Sequence, residues 1–187
     1  MSAADREKWD AKYAAAEAAP HEPSAVLKGL TNFLPARGKA LDVAGGAGRN
    51  AIWLARRGLR VTIADISAVG LALAQERAAA TGVIVETLEI DLEHGRLQAG
   101  VFEVIMSVCY LCRPLFAEFP RLLAPGGTLI VIQPTKRNLE RNDKPPAAYL
   151  LEEGELPRLA SGLEILHYEE GWLADGRHDA VLVARKP

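Results

Sequence analysis

The chain has 187 residues, of which 49% are hydrophobic, 25% charged and 6% aromatic, and its net charge is −2. That length and balance suit one compact α/β domain, able to bury about 70% of its unfolded surface without a metal or disulfide staple. They exclude a sequence-wide pull toward nucleic acid or anionic membrane; with no 18-residue apolar run and no secretory leader pattern, a soluble cytoplasmic protein is expected.

The first predicted element is an alanine-rich helix over residues 3–18, with Trp9 and Tyr13 one turn apart and Pro20 beyond its end. Ser24 is the expected N-cap of a second helix running through "AVLKGLTNFL" to Pro35. Regular alternation follows. "KALDVA" reads as a strand, "GRNAIWLARRG" as a helix closed by Gly58, and "RVTIAD" as a second strand. Ser67 caps a helix over "AVGLALAQERAAAT" that ends at Gly82, and "VIVETLEID" is the third strand. "VFEVIMSV" is the fourth, "PLFAEFPRLL" a helix, "APGG" a turn and "TLIVIQP" the fifth strand. Short β-branched runs separated by helical patterns imply a parallel sheet covered on both faces.

The tail breaks the pattern. "GLEILHYEEGWL" and "HDAVLVARK", joined by "ADGR", predict an antiparallel hairpin turning at Asp175-Gly176. The expected fold is therefore a doubly wound, Rossmann-like α/β domain with seven strands, mostly parallel, and helices on both faces. Within this single domain, residues 1–35 form a helical lid or appendage and 36–134 the cofactor-binding core. Residues 135–160 form a lid loop and helix, because a polar, proline-containing stretch of that length is often a binding loop, and 161–187 the hairpin. Lys136, Arg137, Arg141 and Lys144 in that loop suggest either simple solvation or steering of an oxyanion.

The glycine cluster after the first strand fits two ligands. Gly46-Ala47-Gly48-Arg49-Asn50-Ala51 matches GxGxxA, a form of the dinucleotide fingerprint, and also ends an acidic-x-small-x-Gly-x-Gly loop beginning at Asp42. In both, Asp65 stands 19 residues beyond Gly46, where a carboxylate accepts from ribose hydroxyls. Asp42 discriminates. An acid at that strand end suits an amino-acid ammonium and opposes a pyrophosphate, which needs the helix N-terminus to itself. Asp91, closing the third strand, can reach an adenine amino group. A dehydrogenase also needs more chain for a substrate domain, so the methyl-donor reading prevails over a short nicotinamide-dependent reductase.

With these features in order, the sequence resembles the class I S-adenosylmethionine-dependent methyltransferases. The match rests on the loop after Asp42, Asp65 after strand two, "EIDLE" after strand three, "APGG" before strand five and the terminal hairpin. "WDAKY", "GRNAIWLARRG", "YLCRPLF" and "LLEEGELPRL" resemble a narrower group, the tellurite-resistance-type small-molecule methyltransferases. The resemblance implies S-adenosylmethionine as cofactor, with Asp42, Ala44, Gly46, Gly48, Arg49 and Asn50 around its methionine end. It puts Asp65 and Ile66 at the ribose, Asp91 and Leu92 at the adenine, and Ser107 at the end of strand four. Ala44 departs from the family's usual glycine, and alanine tolerates a positive φ poorly.

No catalytic base is assigned. Tyr110, whose ring face could stabilise a sulfonium, Arg113, which could hold an anionic acceptor, and Tyr13, as part of an aromatic lid with Trp9, are the candidates. Each also has a plain packing or surface role open to it. The acceptor class implied is a small molecule, including soft nucleophiles such as a thiol or a metalloid oxyanion-derived species, methylated by in-line displacement. Nucleic acid and membrane are not expected partners, and "SVCYL" stands where amino-methylating enzymes carry an "NPPY"-type motif. A regulator that binds S-adenosylmethionine without turnover is the alternative from another class. Cys109 and Cys112 form a lone CxxC, read as reduced structural or pocket-lining thiols. The four histidines lack ligand spacing, so no metal is expected.

Overall fold

The computed structural model describes residues 3–15, 21–97 and 101–187. Seven strands form one sheet in the order β3-β2-β1-β4-β5-β7-β6. They are β1 (Gly38–Val43), β2 (Leu59–Asp65), β3 (Val85–Glu89), β4 (Phe102–Val108), β5 (Leu123–Pro134), β6 (Glu164–Trp172) and β7 (His178–Arg185). The first five pair in parallel, and β7 inserts antiparallel between β5 and β6. The sheet is as the alternation of apolar runs and helical patterns implied.

Six helices accompany it: α1 (Ala3–Ala14), α2 (Ala25–Gly29), α3 (Arg49–Arg56), α4 (Ala68–Ala80), α5 (Phe119–Leu122) and α6 (Glu155–Leu159). Both sheet faces are buried. Leu41, Val43, Ile105, Leu129 and Leu182 pack on one side with Phe116, Phe119 and Leu156. Ala40, Val61, Ile63, Met106 and Ile130 pack on the other with Leu27, Leu54 and Ala74. The period of two along each strand sends neighbours to opposite cores, which is why the runs carry almost no polar residues.

Several expected boundaries move. The stretch 24–35 is one short helix followed by a single 3₁₀ turn at Thr31–Phe33. Ser24 occupies the N-cap position but its hydroxyl caps nothing; its backbone N–H instead donates to Asn50 Oδ1 at 2.9 Å. The helix expected over 114–123 is a 3₁₀ segment, Arg113–Ala117, and then α5, since Pro114 and Pro120 each withhold an amide hydrogen. "APGG" lies within the β5 span, where pairing shifts register between Phe102 and Val104. Gly126 (φ 73) there donates its N–H to Lys186 O. Strand β3 ends at Glu89, so Asp91 follows it by two residues instead of closing it. The part of the first helix expected at 16–18, and Pro20, lie outside the described residues.

The 135–160 stretch lies against the sheet. Thr135 bridges to Leu151, and Leu150, Leu151 and Leu156 are buried. Gln133 Nε2 donates to Tyr149 O at 2.7 Å, and Asn138 Nδ2 to Lys144 O at 2.9 Å. Lys136 and Arg137 are held by Glu152 and Glu140, and the Arg141 guanidinium stands 3.8 Å over the Trp172 ring.

Candidate active site

Strand order reverses direction between β1 and β4, and at such a switch point an α/β sheet opens a crevice beyond its carboxyl ends. Asp42 faces Met106 and Val43 faces Ser107 across that pair, so Asp42 and the residues after β4 share one crevice. A cavity of about 240 Å³ opens there. Trp9 and Tyr13 of α1 bound it, with Asp42, Gly45, Val108 and Cys109 opposite.

The loop is shaped by close approach. Gly46 and Gly48 have φ of 52° and 78°, a region in which L side chains are strained. A Cβ on Gly48 would stand 2.8 Å from Ala74 Cβ, and one on Gly45 would stand 2.6 Å from Asp42 Oδ2. Ala44 also sits at positive φ, 55°, so the alanine occupies the position that favours glycine.

Asp42 is 2% exposed, and its Oδ2 has no hydrogen-bond partner. Burial, reinforced by the charge of Asp65, pushes its pKa up to about 7 against the opposing pull of Arg49 and the Ala51 N–H. An unpartnered buried carboxylate bordering a cavity is destabilising unless a cation or donor fills the space beside it. Asp65 is 6% exposed and is differently used. It accepts from Gly46 N (2.8 Å) and Ser67 N (2.9 Å), which ties the glycine loop to the start of α4. Burial raises its pKa too, while those amides oppose the rise.

Helix α1 lies across this assembly. Asp10 Oδ1 accepts from Ser67 Oγ at 2.5 Å and from Val69 N at 3.3 Å, placing a carboxylate at the N-terminus of α4. Ser67 Oγ in turn accepts from Gly70 N. Arg6 pairs with Glu89. The Tyr13 ring passes between Gly46 and Gly70: a Cβ on Gly46 would lie 1.9 Å from the Tyr13 hydroxyl, and one on Gly70 2.7 Å from its ring. Trp9 stacks on Tyr13 at 5.9 Å and carries the Lys12 ammonium 4.3 Å over its own ring.

The far wall comes from the end of β4, with Arg177, just before β7, behind it. Cys109 has φ 59°, lines the cavity, and its sulfur accepts from Arg177 Nη1 at 3.1 Å. Desolvation by the surrounding cavity wall raises its pKa while Arg177 opposes that rise. Arg177 also pairs with Asp175 at 3.1 Å and with Asp179 at 3.3 Å, a residue 1% exposed whose two oxygens make no hydrogen bond. Burial pushes the Asp179 pKa up to about 6, with Arg177 again opposing.

Asp42, Ala44, Gly48, Arg49, Asn50 and Tyr13 all border the cavity, with Gly46 directly under Tyr13. Asn50 also serves the fold, through Ser24. Ile66 and Leu92 are buried, the latter in the core, and Ser107 Oγ donates to Tyr110 O at 3.1 Å. Asp91 accepts from Glu93 N at 2.9 Å and from His94 Nδ1 at 2.8 Å, capping its own turn. Tyr110 does not border the cavity; it packs against the core with its hydroxyl unpartnered. Arg113 is clasped by Glu155 through two contacts of 2.5 and 2.9 Å and donates to Leu150 O. The sequence singles out none of Lys12, Arg177 and Asp179, because each reaches the site only through contacts across the fold. Among the described residues no cluster of three potential metal ligands occurs, and no helix is long and apolar enough to cross a membrane.

The fold has known counterparts. Residues 40–127 match a family model described as a methyltransferase domain. The chain is 32% identical over 104 residues to ribosomal RNA small subunit methyltransferase C of Alcanivorax borkumensis, covering 51% of this chain and 32% of that protein. It thus spans about a third of the curated relative it matches. The fold superimposes on TehB from Haemophilus influenzae with a TM-score of 0.74 at 20% identity, covering 96% of this chain and 67% of the other. Geranyl diphosphate C-methyltransferase from Streptomyces coelicolor A3(2), solved with Mg²⁺, geranyl diphosphate and S-adenosyl-L-homocysteine, gives 0.69 at 15% identity, over 87% and 77% of the two chains. A structure concerned with conversion of a disulfide bond into a thioacetal group in echinomycin biosynthesis gives 0.77 at 18%, over 97% and 93%.

Proposed function

We propose that this protein, whose central segment is a methyltransferase domain on the class I S-adenosylmethionine-dependent fold, transfers a methyl group from S-adenosylmethionine to a small-molecule acceptor. The observation that carries this reading is the buried Asp42 oxygen with no partner, set under a glycine loop at the mouth of the switch-point crevice. It suits an amino-acid ammonium, and the absence of side chains at Gly45, Gly46 and Gly48 lets the loop pack closely on Asp42, Tyr13 and Ala74.

When bound, S-adenosylmethionine supplies a methyl group on a sulfonium that is already a good leaving group. The protein's task is then to orient and to exclude water. Asp42 holds the amine, and the Asp65 carboxylate, fixed by Gly46 and Ser67, offers its remaining lone pairs to ribose hydroxyls. Tyr13 and Trp9 cover the site. Cys109 and Arg177 face the acceptor side. A soft nucleophile such as a thiolate or a reduced metalloid needs no proton removed at the transition state, so this reading assigns no general base. The structural neighbour concerned with converting a disulfide bond into a thioacetal group supports a thiol acceptor, and the resemblance of "WDAKY" and "YLCRPLF" to the tellurite-resistance-type group supports a metalloid-derived one.

Calorimetric titration with S-adenosylhomocysteine, with NADPH alongside, tests the reading. Micromolar binding of the first and none of the second is expected, followed by methyl transfer to a panel of thiols and metalloid oxyanions under reducing conditions. Binding without turnover on any acceptor would favour a regulator; binding of neither would overturn the assignment.

A further inference from the structure

A second concavity, about 680 Å³, lies along the outer face of α3. Three stretches far apart in sequence build it: residues 21–28, α3 with Arg57, and the C-terminal end of α4. They bring Lys28, Arg49, Arg56, Arg57 and Arg77 to one groove, with Glu22 as the acidic residue among the described ones that line it. Lys28 pairs with Glu22 at 2.8 Å, and Arg77 contacts His21 Nε2 at 3.3 Å. Among the described residues, Arg49, Arg56 and Arg57 have no carboxylate within ion-pair distance. Elsewhere among those residues Arg113, Arg121, Arg137 and Arg177 hold carboxylates while Arg60, Arg141 and Arg185 hold none, so what marks the groove is the convergence of its cations on one concavity. Arg57 instead lies 5.0 Å over the Trp53 ring, which fixes the guanidinium while leaving its N–H edges to donate to a ligand.

The arrangement has direction. Arg49, Trp53 and Arg56 recur at i, i+4 and i+7 on one helix face, so the outer cations are separated by about 10 Å along the axis. That span exceeds a single phosphate. Arg49 borders both this groove and the cavity beneath the glycine loop. On a chain of net charge −2, such local positive potential acts on one ligand class, anions with several charges in line.

We propose that this groove seats the phosphates of the methyl acceptor, a molecule carrying two or more phosphate groups whose reactive end reaches the cavity past Arg49. The proposal rests on the methyl-transfer reading for the acceptor role and on the groove alone for phosphate binding. A nucleotide polyphosphate is the occupant that fits a small-molecule acceptor; a short RNA strand presents the same phosphates and is the alternative outcome that the test separates.

The test is titration of the full chain with tripolyphosphate, ATP and an eight-nucleotide single-stranded RNA at 50 and 200 mM salt, for the natural sequence and for R56Q/R57Q. Expected is saturable binding of at least one probe, weakened roughly tenfold by the double substitution, with S-adenosylhomocysteine affinity and melting temperature unchanged. ATP binding alone identifies a nucleotide. RNA binding that falls about twentyfold between the two salts identifies a strand neutralising about three phosphates. Absence of binding for all three at 50 mM salt, or equal binding by R56Q/R57Q, overturns the proposal. Phosphate binding without S-adenosylhomocysteine binding would instead remove the methyl-transfer reading and leave the groove standing.

Discussion

Tyr13 closes directly over Gly46: a methyl group on that glycine would lie 1.9 Å from the tyrosine hydroxyl oxygen. The first helix and the glycine loop are therefore in mutual contact, and what disturbs one reaches the other. Gly46→Ala combines this clash with a φ of 52°. It is expected to lower stability by about 1–2 kcal/mol and to weaken S-adenosylhomocysteine binding at least about tenfold. Urea unfolding and calorimetry on the same preparation check both effects, and unchanged affinity would place the ligand elsewhere.

Ala44 offers the opposite substitution. With φ at 55°, Ala44→Gly relieves left-handed strain and is expected to stabilise the protein by about 1 kcal/mol, after the entropy that glycine adds to the unfolded chain. The urea midpoint should rise with an unchanged slope.

Asp42 sets a pH dependence. Its pKa stands at about 7 in the folded protein through burial and the nearby Asp65 charge, against an ordinary carboxyl value near 4. Between those values the folded state holds a proton that the unfolded state has lost, so Asp42 makes stability fall as pH rises from about 4 to 7. Asp42→Asn should flatten that decline in pH-dependent melts. A cationic amine favours the ionised form, so S-adenosylhomocysteine affinity should rise over the upper part of this window and binding should release a proton. Calorimetry in buffers of different ionisation enthalpy measures that proton directly; none released would contradict the ammonium assignment.

Arg113 serves as the counter-test. Its two contacts with Glu155 join the segment after β4 to the start of α6, and the arginine is 41% exposed. Arg113→Ala should cost on the order of 1 kcal/mol and leave cofactor affinity unchanged. A large loss of affinity would return Arg113 to the ligand site.

The two cysteines separate cleanly by position. Cys109 is exposed at the cavity wall and Cys112 is buried. A thiol-alkylating reagent should modify Cys109 first, and saturating S-adenosylhomocysteine should slow that reaction. Mass spectrometry of the peptides reads both. Equal rates with and without ligand would take Cys109 out of the pocket.

Local order was legible because it is written in neighbouring residues. Alternating apolar runs require a sheet buried on both faces, the hairpin follows from Asp175-Gly176, and Asp42, Gly46 and Gly48 are near enough in sequence to declare one loop. Trp9 and Tyr13 could be paired from their spacing, although not placed. Tyr110 shows where this fails. A positive φ at Cys109 turns the chain so that the thiol meets the cavity and the next ring meets the core, and nothing in "SVCYL" announces that turn.

By itself the sequence determined the fold class, the switch-point loop and its acidic anchor, since periodicity and short spacings act within a few residues. Only the tertiary structure decided which side chains meet across long separations. It gave Arg113 to Glu155 and Arg177 to Cys109, laid Tyr13 on Gly46, and gathered arginines from different helices along one groove. Such contacts depend on how the helices and strands pack together, and packing brings side chains within ångströms of partners that no local pattern names.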